Sequence, residues 1–296
     1  MKIAFIGFGE AARAFTDSLA GNPAASIVAA YDIRQDEEMR QAALSRGLRF
    51  EKTVAAAIAG ADWVLSAVTA DQSLNAAQSV LDALEPGQLF IDINSVSPGR
   101  KQQSATLIAG RQGQYLDMAV MAPVHPRGHA TPVLVAGAQA HALAATLENL
   151  GFHFEVVGDE PGAATAIKMV RSLFVKGLEA LTVETLLAAS ATGCLDRVVT
   201  SLADTFPGLG WPDNARYMFE RTLHHGARRA AEMREVAATY DELGFVGALA
   251  DKIADVQEKM GAAPVIDLPP GELNPSVREV AAMRLRAEGK SLPGSR

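Results

Sequence analysis

The first half of the chain alternates short apolar runs with alanine-rich stretches whose apolar residues recur at helical spacing. The apolar runs predict strands over residues 2–6, 26–31, 62–68, 89–93, 114–119, 132–136 and 152–157. Helical patterns lie between most of these runs, over residues 11–20, 36–45, 71–84 and 138–150. Strands that alternate with helices are typical of an α/β fold, so we expect a parallel, doubly wound sheet.

The pattern changes at a turn-forming GDEPG sequence over residues 158–162, which predicts two domains, residues 1–160 and 161–296. Beyond this turn the strand signal almost disappears. Helical patterns follow over residues 163–190, 196–205, 212–240, 245–260 and 276–288. The pattern over 212–240 leaves a break in that helix open, and Pro269 and Pro270 interrupt the chain before the last helix. We therefore expect an all-helical second domain.

Composition narrows the function classes. The chain has 296 residues, 49% of them apolar, and a net charge of −7 without a Lys/Arg cluster, which argues against a nucleic-acid-binding surface and against a polybasic membrane anchor. Cys194 is the only cysteine, so a disulfide within the chain and a multi-cysteine zinc site are both excluded. No basic leader and no apolar stretch of membrane-spanning length occurs, so we expect a soluble, cytoplasmic protein.

The first predicted strand runs into a G-x-G-x-x-A pattern that precedes a predicted helix. Gly7 allows a tight turn, Gly9 allows a pyrophosphate to approach the backbone, and Ala12 allows close packing of helix on strand. Such a strand–turn–helix unit is typical of a Rossmann-type dinucleotide-binding domain. The candidate cofactor-binding residues of this turn are Gly7, Phe8, Gly9, Glu10, Ala11 and Ala12.

An acidic residue stands at the position where NAD-binding domains bind the ribose. Asp32 ends the second predicted strand, twenty residues after Ala12. Its carboxylate is suited to the ribose hydroxyls of NAD and would repel the 2′-phosphate of NADP. Arg34 is near enough to reach such a phosphate, so NADP stays open, and a plain turn with a surface aspartate is the alternative to a cofactor site.

Several blocks of the chain, in order and spacing, resemble the β-hydroxyacid dehydrogenase superfamily, which includes 3-hydroxyisobutyrate and 6-phosphogluconate dehydrogenases. The "GFGEAA" and "RSLFVKGLEAL" segments are similar to a 6-phosphogluconate-dehydrogenase-like branch with its own type of C-terminal domain. The resemblance implies an NAD(P)-dependent oxidoreductase that acts on CH–OH groups of a small molecule.

The resemblance also assigns residues of the first domain. In "DINSVSP", Ser95 takes the place of a family threonine near the nicotinamide and the substrate, and Asn94 precedes it. Val68 and Thr69 stand where the family has a Leu-Pro pair beside the cofactor. Ser97 has a local interpretation as well, because a serine before Pro98 is typical of a helix N-cap.

Lys168 stands where the family places its catalytic lysine, early on the long helix after the nucleotide-binding domain. Burial in its apolar surroundings would lower the lysine pKa and suit it to proton exchange with a substrate hydroxyl. A snorkelling surface lysine is the alternative. Ser172 lies one helical turn further on the same face, at the place of a substrate-orienting family asparagine. Arg171 replaces a second asparagine and would bind an acidic substrate or form a surface ion pair.

Two other blocks depart from the family. Its substrate loop reads Ser-Gly-Gly where this chain has Met121, Ala122 and Pro123, which weakens the usual grip on a carboxylate and favours a bulkier or more apolar substrate. His225 takes the place of a family lysine that approaches the cofactor, and Gly226 that of the following aspartate.

Two further groups of polar residues have competing interpretations. His125 and His129 have the spacing of a helical metal pair, but the proline and glycine between them disfavour a helix, so we expect no metal. Arg228 and Arg229 would reach a substrate or pair with nearby glutamates.

We therefore expect a homodimeric NAD(P)-dependent dehydrogenase in which Lys168 is the general acid/base and Ser95 and Ser172 position the substrate. An imine reductase on the same fold is an alternative, although such relatives usually replace the lysine by aspartate or tyrosine. A non-catalytic NAD(P)-responsive sensor would keep the glycine turn without needing Lys168.

Overall fold

The structure, a computed structural model, describes residues 1–263, 273–287 and 289. It divides into two units, Met1–Val170 and Arg171–Arg296. The prolines expected to interrupt the second half, Pro269 and Pro270, lie outside the described residues.

The first unit contains one eight-stranded sheet with the strand order β3-β2-β1-β4-β5-β6-β7-β8. Its strands are β1 (Lys2–Ile6), β2 (Ser26–Tyr31), β3 (Arg49–Phe50), β4 (Trp63–Ser66), β5 (Leu89–Asp92), β6 (Gln114–Val120), β7 (Val133–Ala136) and β8 (Phe154–Gly158). The chain reverses its direction of travel across the sheet between β3 and β4, so the carboxyl ends of β1 and β4 flank the crevice where such sheets bind ligands. The expected doubly wound α/β fold is confirmed.

The sheet is mostly, not entirely, parallel, which corrects the expectation of a parallel sheet. β7 pairs antiparallel with β6, with Met118 opposite Val135. The segment between them forms only a short 3-10 turn at Gly128–Ala130 instead of a crossover helix, so the chain returns alongside the strand it has just left. The two-residue strand β3 was not predicted because it is too short to show a period.

Helices cover both faces of the sheet. They are α1 (Glu10–Leu19), α2 (Glu37–Leu44), α3 (Val54–Ile58), α4 (Ser73–Val80), α5 (Pro98–Ala109) and α6 (Ala140–Leu150). Successive residues of β1 point to opposite faces: Phe5 joins a core cluster with Phe15 of α1, and Ile6 joins a second cluster with Ile108 of α5. This burial on both sides explains the continuous apolar runs of the strands.

Helix α7 (Ala163–Ala191) begins in the first unit and ends in the second. The two units divide between Val170 and Arg171, beyond the predicted boundary at residue 160, because the first turns of α7 pack on the sheet. Ala164 shares a buried cluster with Ala119 and Ala136.

The second unit is helical throughout its described residues. Besides the rest of α7 it contains α8 (Leu195–Thr205), α9 (Asp213–Glu242), α10 (Ala248–Gly261) and α11 (Leu273–Ala287), together with a short 3-10 helix at Pro207–Leu209. Its core cluster includes Leu186 of α7, Phe219 of α9, Met260 of α10 and Val277 of α11. No helix in the described part of the chain is long and apolar enough to cross a membrane.

Helix α9 runs unbroken through Gly226, where the backbones of α9 and α10 meet. A Cβ on Gly226 would overlap the carbonyl oxygen of Gln257 and lie 2.5 Å from the amide nitrogen of Gly261. The glycine that stands in place of the family aspartate is therefore required by helix packing.

We predict that Gly226→Ala destabilises the protein by about 1–3 kcal/mol, because overpacking outweighs the gain in helix propensity of roughly 1 kcal/mol. Gly177→Ala on α7 is the matched control, since its Cβ would meet only the tip of the Ile253 side chain at 3.2 Å. Urea unfolding measures both changes. Equal unfolding free energies for the two variants would contradict the packing argument.

Candidate active site

The glycine turn after β1 is closely constrained by its neighbours. Gly7 has a φ of +84°, and a Cβ at this position would overlap the carbonyl oxygen of Ala67, just beyond β4. Its amide donates to the Tyr31 carbonyl at 2.8 Å. The left-handed conformation and the close approach each require glycine at this position.

Asp32 at the end of β2 is tied to this turn. Its Oδ2 accepts the Phe8 amide at 2.7 Å, and its Oδ1 accepts the Arg34 amide at 2.9 Å. The Arg34 guanidinium is exposed and is paired with Asp36 at 2.9 Å and Glu38 at 3.2 Å. The aspartate is therefore preorganised beside the turn, and the arginine charge is partly neutralised by two acidic neighbours.

Helix α1 has an open N-terminus. Helix α1 begins at Glu10, and its N-cap residue Gly9 makes no side-chain cap. The N-caps of α4 and α6 also make none, whereas the side chains of Asp36, Thr53 and Ser97 cap α2, α3 and α5. A Cβ on Gly9 would meet no atom within 4 Å, and Gly9 is exposed. Ala12 is fully buried beneath the turn. An uncapped helix terminus beside an open backbone surface fits the pyrophosphate of a dinucleotide.

Asn94 joins the ends of β4 and β5. Its Oδ1 accepts the Val68 amide at 2.7 Å, and its Nδ2 donates to Ser66 Oγ at 2.9 Å. Asn94 is buried, Val68 is half-buried and Thr69 is exposed. This network gives Asn94 a clear structural role, since it sets the course of the loop that contains Ser95.

Lys168 and Ser95 lie in direct contact. Lys168 Nζ donates to Ser95 Oγ at 2.5 Å, although the residues are separated by 73 positions in sequence. Both residues are half-buried. The pair places an amine that can exchange protons beside a hydroxyl that can donate and accept hydrogen bonds. These two groups together are suited to moving a proton to or from a bound hydroxyl group.

A set of buried polar side chains lies on β5, α5 and β6 of the same unit. We call Asp92, Lys101, Tyr115 and Asp117 the buried charge cluster. Lys101 Nζ lies 2.9 Å from Asp92 Oδ1 and 3.3 Å from Asp117 Oδ1, and Tyr115 donates to Asp92 Oδ2 at 2.9 Å. Burial raises the pKa of Asp117, opposed by the attraction of Lys101, and burial together with Asp92 raises the pKa of Tyr115 well above its usual value.

The loop expected to bind substrate follows β6. The Met121 amide donates to the Pro132 carbonyl at 2.9 Å, so it is used within the protein. Met121 and Ala122 are half-buried, and Pro123 is exposed. The loop therefore presents a thioether and a proline ring where the family pattern has a serine and glycine amides.

The two histidines of the same loop do not form a pair. His129 Nδ1 lies 2.8 Å from Ser18 Oγ and its ring packs edge-on against Phe152, while His125 is exposed. Burial lowers the pKa of His129. No group of three or more His, Cys, Asp or Glu side chains suited to a metal ion occurs among residues 1–263, 273–287 and 289.

Three of the expected site residues belong to the second unit. Arg171 and His225 are exposed there. Ser172 is buried and accepts from Lys176 Nζ at 3.3 Å, and Lys176 pairs with Glu232 at 2.7 Å.

Arg229 is also buried in the second unit. It pairs with Glu179, which accepts from Gln257 Nε2 at 3.2 Å as well. This interaction answers the question left open for Arg229, because an ion pair inside the helical unit occupies its guanidinium. The glutamate differs from those that sequence spacing suggested.

Sequence reasoning did not identify the buried charge cluster or Ile33. Lys101 follows the DINSVSP block on α5, and only its apolar surroundings in the fold reveal that it is buried. Ile33, next to Asp32, is 71% exposed. Such an apolar surface beside a carboxylate suited to a ribose is suited in turn to the face of an adenine ring.

Comparisons with known proteins agree with this architecture. Residues 2–158 match the NAD binding domain of 6-phosphogluconate dehydrogenase, which indicates a nicotinamide cofactor. Residues 189–260 match a domain of unknown function, DUF1932. Among curated proteins, an uncharacterized 28.5 kDa protein of Methanothermus fervidus is 26% identical over 236 residues, covering 80% of this chain and 89% of that protein.

Solved structures extend the likeness to both units. A conserved hypothetical protein from Sinorhizobium meliloti 1021 is 38% identical, with a TM-score of 0.76, over 96% of this chain and 97% of that one. A 3-hydroxyisobutyrate dehydrogenase of Mycobacterium tuberculosis, solved with L-serine, shares the fold at 20% identity and a TM-score of 0.71, over 88% of this chain and 94% of that one.

The raised pKa of Asp117 predicts a pH-dependent stability. An acid whose pKa is higher in the folded protein stabilises the fold at low pH, and this contribution is lost as pH rises from the ordinary aspartate value through the folded value. Asp117→Asn keeps a side-chain acceptor and removes the titration. We expect its unfolding free energy to change less with pH than that of the wild type between about pH 4 and 8.

Urea unfolding at several pH values measures this difference, with Asp82→Asn at an exposed site as control. Parallel curves for the wild type and Asp117→Asn would exclude Asp117 as the titrating group.

Proposed function

This chain belongs to the family of the NAD binding domain of 6-phosphogluconate dehydrogenase, within the β-hydroxyacid dehydrogenase superfamily, and on that premise we propose that it is an NAD(P)-dependent dehydrogenase acting on a hydroxyl-bearing carbon. The observation that carries the proposal is the 2.5 Å hydrogen bond between Lys168 Nζ and Ser95 Oγ. The pair combines a titratable amine with a hydroxyl at the location where family members carry out proton transfer.

In this proposal Lys168 moves the proton. Its Nζ accepts the hydroxyl proton of the substrate during oxidation and returns it during reduction. Ser95 Oγ bonds the same substrate oxygen and holds it next to the amine. A nicotinamide cofactor, when bound, accepts or supplies the hydride. Ser172 is proposed as a further substrate-positioning residue, as the resemblance implies.

The open N-terminus of α1 would hold the pyrophosphate of the cofactor, and Asp32 would bind the adenosine ribose. Two features favour NAD over NADP. The Asp32 carboxylate is fixed by two amides beside the turn, and it would repel a 2′-phosphate. The Arg34 guanidinium, which would be needed to neutralise that phosphate, is paired with Asp36 and Glu38.

The substrate class follows from the loop after β6. Met121, Ala122 and Pro123 offer apolar surface and few free donors, so a carboxylate held by backbone amides is disfavoured. We propose a small hydroxy acid anchored in another way, or a bulkier alcohol. Arg171, exposed on α7, is available to an acidic group.

We include a homodimer in the proposal. Phe174 and Leu181 of α7 are 73% and 69% exposed, and Phe245 and Val246 after α9 are 66% and 72% exposed. Exposed large apolar side chains such as Phe174 and Leu181, which lie seven residues apart on one face of α7, are typical of a surface that another chain covers.

We predict that Lys168→Met abolishes turnover while dinucleotide binding is retained. General acid–base catalysis contributes about 10²–10⁴-fold to a rate, so a loss of that size in kcat is expected. The screen follows reduced-nicotinamide absorbance with NAD and NADP against hydroxy acids, sugar acids and aromatic alcohols. Lys52→Met, at an exposed lysine of the first unit, is the control.

The outcomes of this screen separate the alternatives. Full activity in Lys168→Met would exclude the lysine mechanism. Tight dinucleotide binding by both proteins, with no turnover of any alcohol but reduction of cyclic imines, would favour an imine reductase. Binding without any turnover would favour a sensor.

The cofactor preference gives a second prediction. Asp32→Ala removes charge-assisted hydrogen bonds to the ribose, worth about 1.5–3 kcal/mol, so NAD affinity is expected to fall by roughly ten- to hundredfold. NADP affinity is expected to fall less, or to rise, because the repulsion is removed. Calorimetric titration with each dinucleotide measures both, and a wild-type preference for NADP would refute the assignment.

A further inference from the structure

Lys101 is a fully buried lysine that no step of the proposed reaction uses. Its side chain has 0% exposure and lies on α5. Besides the two carboxylates, its ammonium donates to the Asp92 backbone carbonyl at 2.6 Å. Removing an ammonium from water is unfavourable, and a hydrophobic residue would fill the same space without this penalty. A buried lysine at this position is therefore best explained by a function that needs its positive charge.

One carboxylate of the buried charge cluster controls the loop that contains Ser95. Asp92 is the last residue of β5, and its Oδ1 accepts the Asn94 amide at 2.9 Å. Since Asn94 in turn accepts the Val68 amide, the backbone on the N-terminal side of Ser95 is held from two directions. Lys101 fixes the Asp92 carboxylate that begins this chain of hydrogen bonds.

The other carboxylate controls the helix that contains Lys168. Asp117, on β6, accepts the amides of Gly162 and Thr165 through Oδ2 at 3.1 and 3.0 Å. Gly162 is the residue before α7 and Thr165 lies in its first turn, so Asp117 caps this helix from a neighbouring strand. Lys168 follows Thr165 by three residues, and is therefore on the adjacent turn.

The loop that contains Ser95 and the start of α7 are also joined by a direct hydrogen bond. Thr165 Oγ1 donates to the Val96 carbonyl at 3.2 Å, and Val96 follows Ser95 in sequence. The Ser95 loop and the start of α7 thus meet twice, once through Thr165 and once through the ammonium that lies between Asp92 and Asp117.

We propose that Lys101 is a positioning residue, which sets the separation between Lys168 Nζ and Ser95 Oγ by holding Asp92 and Asp117 to one ammonium. The inference rests on the proposed function for its catalytic consequence, but its geometric content concerns the protein alone. If a neutral residue replaced Lys101, the two buried carboxylates would repel each other. The loop that contains Ser95 would then separate from the start of α7.

The test compares two variants that differ only at Lys101. Asp117→Asn is the reference, because its amide oxygen still accepts the α7 amides, while its NH2 group no longer accepts from the ammonium and leaves Lys101 holding Asp92 alone. Lys101→Met/Asp117→Asn adds the loss of the ammonium, while Asp92 keeps its hydrogen bonds from Asn94 and Tyr115. The charged groups that face Lys101 are Asp92 and Asp117, and Tyr115 donates to Asp92. The two variants therefore differ by the one positive charge of Lys101.

The first readout is the NMR signal of the Lys168 side chain in protein labelled with ¹³C at the lysine ε-carbon, assigned by its absence from Lys168→Met. We expect the Lys168 resonance to move in Asp117→Asn, in which the ammonium holds only Asp92, and to move further in the double variant, in which no ammonium remains. An unmoved Lys168 resonance in a folded double variant would overturn the proposal.

The second readout is kinetic and uses the substrate found in the screen. A misplaced catalytic pair lowers kcat, so the double variant is expected to lose roughly ten- to hundredfold in kcat relative to Asp117→Asn, with similar dinucleotide affinity. Failure of the double variant to fold would make Lys101 a structural residue and would also overturn the positioning role.

The two readouts separate this inference from the proposed function. If Lys168→Met keeps its activity, the proposed mechanism fails, yet a moved Lys168 resonance in the double variant still supports the geometric role of Lys101.

Discussion

An ammonium shared by two buried carboxylates connects the parts of the first unit that form the candidate site. Lys101 lies against Asp92 at the end of β5 and Asp117 on β6, and each carboxylate also binds backbone amides. Buried ion pairs of this kind add little net stability compared with apolar packing, because both charges lose their hydration. They fix geometry instead, because a hydrogen bond to a carboxylate forms only in a narrow range of positions. Asp92 therefore holds the loop that contains Asn94, and Asp117 holds the start of α7. The Lys168–Ser95 contact joins the two segments that these carboxylates hold.

The glycine turn shows a different kind of constraint, which sterics alone impose. Gly7 faces the backbone beyond β4, and the amide of the next residue is taken by Asp32. The turn, the end of β2 and the end of β4 are thereby fixed together before any ligand binds. An uncapped helix N-terminus remains open beside them. Preorganisation of this kind lowers the entropy lost when a dinucleotide is bound.

Much of the fold is predictable from the sequence because its signals are local. The apolar runs give β1 and β2 with their observed bounds, and the helical period gives the start of α7 at Ala163. The strand β7 was predicted but its antiparallel direction was not, because strand direction depends on how the connection crosses the sheet, which periodicity does not encode. The unit division at Val170 was placed earlier in the prediction for a similar reason: the turn sequence marks where a strand ends, whereas packing on the sheet decides which unit the first turns of α7 join.

In the candidate site, too, residues in local motifs were predictable, whereas residues that depend on packing were not. Motifs and the family resemblance identified Ser95 and Lys168, and the structure shows that these residues are in contact. Lys101 and Asp117 were not identified, because a lysine on an amphipathic helix looks the same in sequence whether it faces solvent or a carboxylate. Arg229 was left between two interpretations, since charges at helical spacing pair equally well within a helix or across to another.

The loop after β6 is where this chain departs most from its family pattern, and the departure is consistent with its structure. The Met121 amide is occupied by the Pro132 carbonyl, and Pro123 has no amide hydrogen to offer. A carboxylate-binding loop needs free donors, so under the proposed function the substrate would be recognised by side chains elsewhere or by apolar contact with Met121. Under the proposed function, the Lys168–Ser95 pair keeps the proton-transfer chemistry of the family while the altered loop changes the substrate, because one fold can keep a catalytic pair and vary the contacts around it.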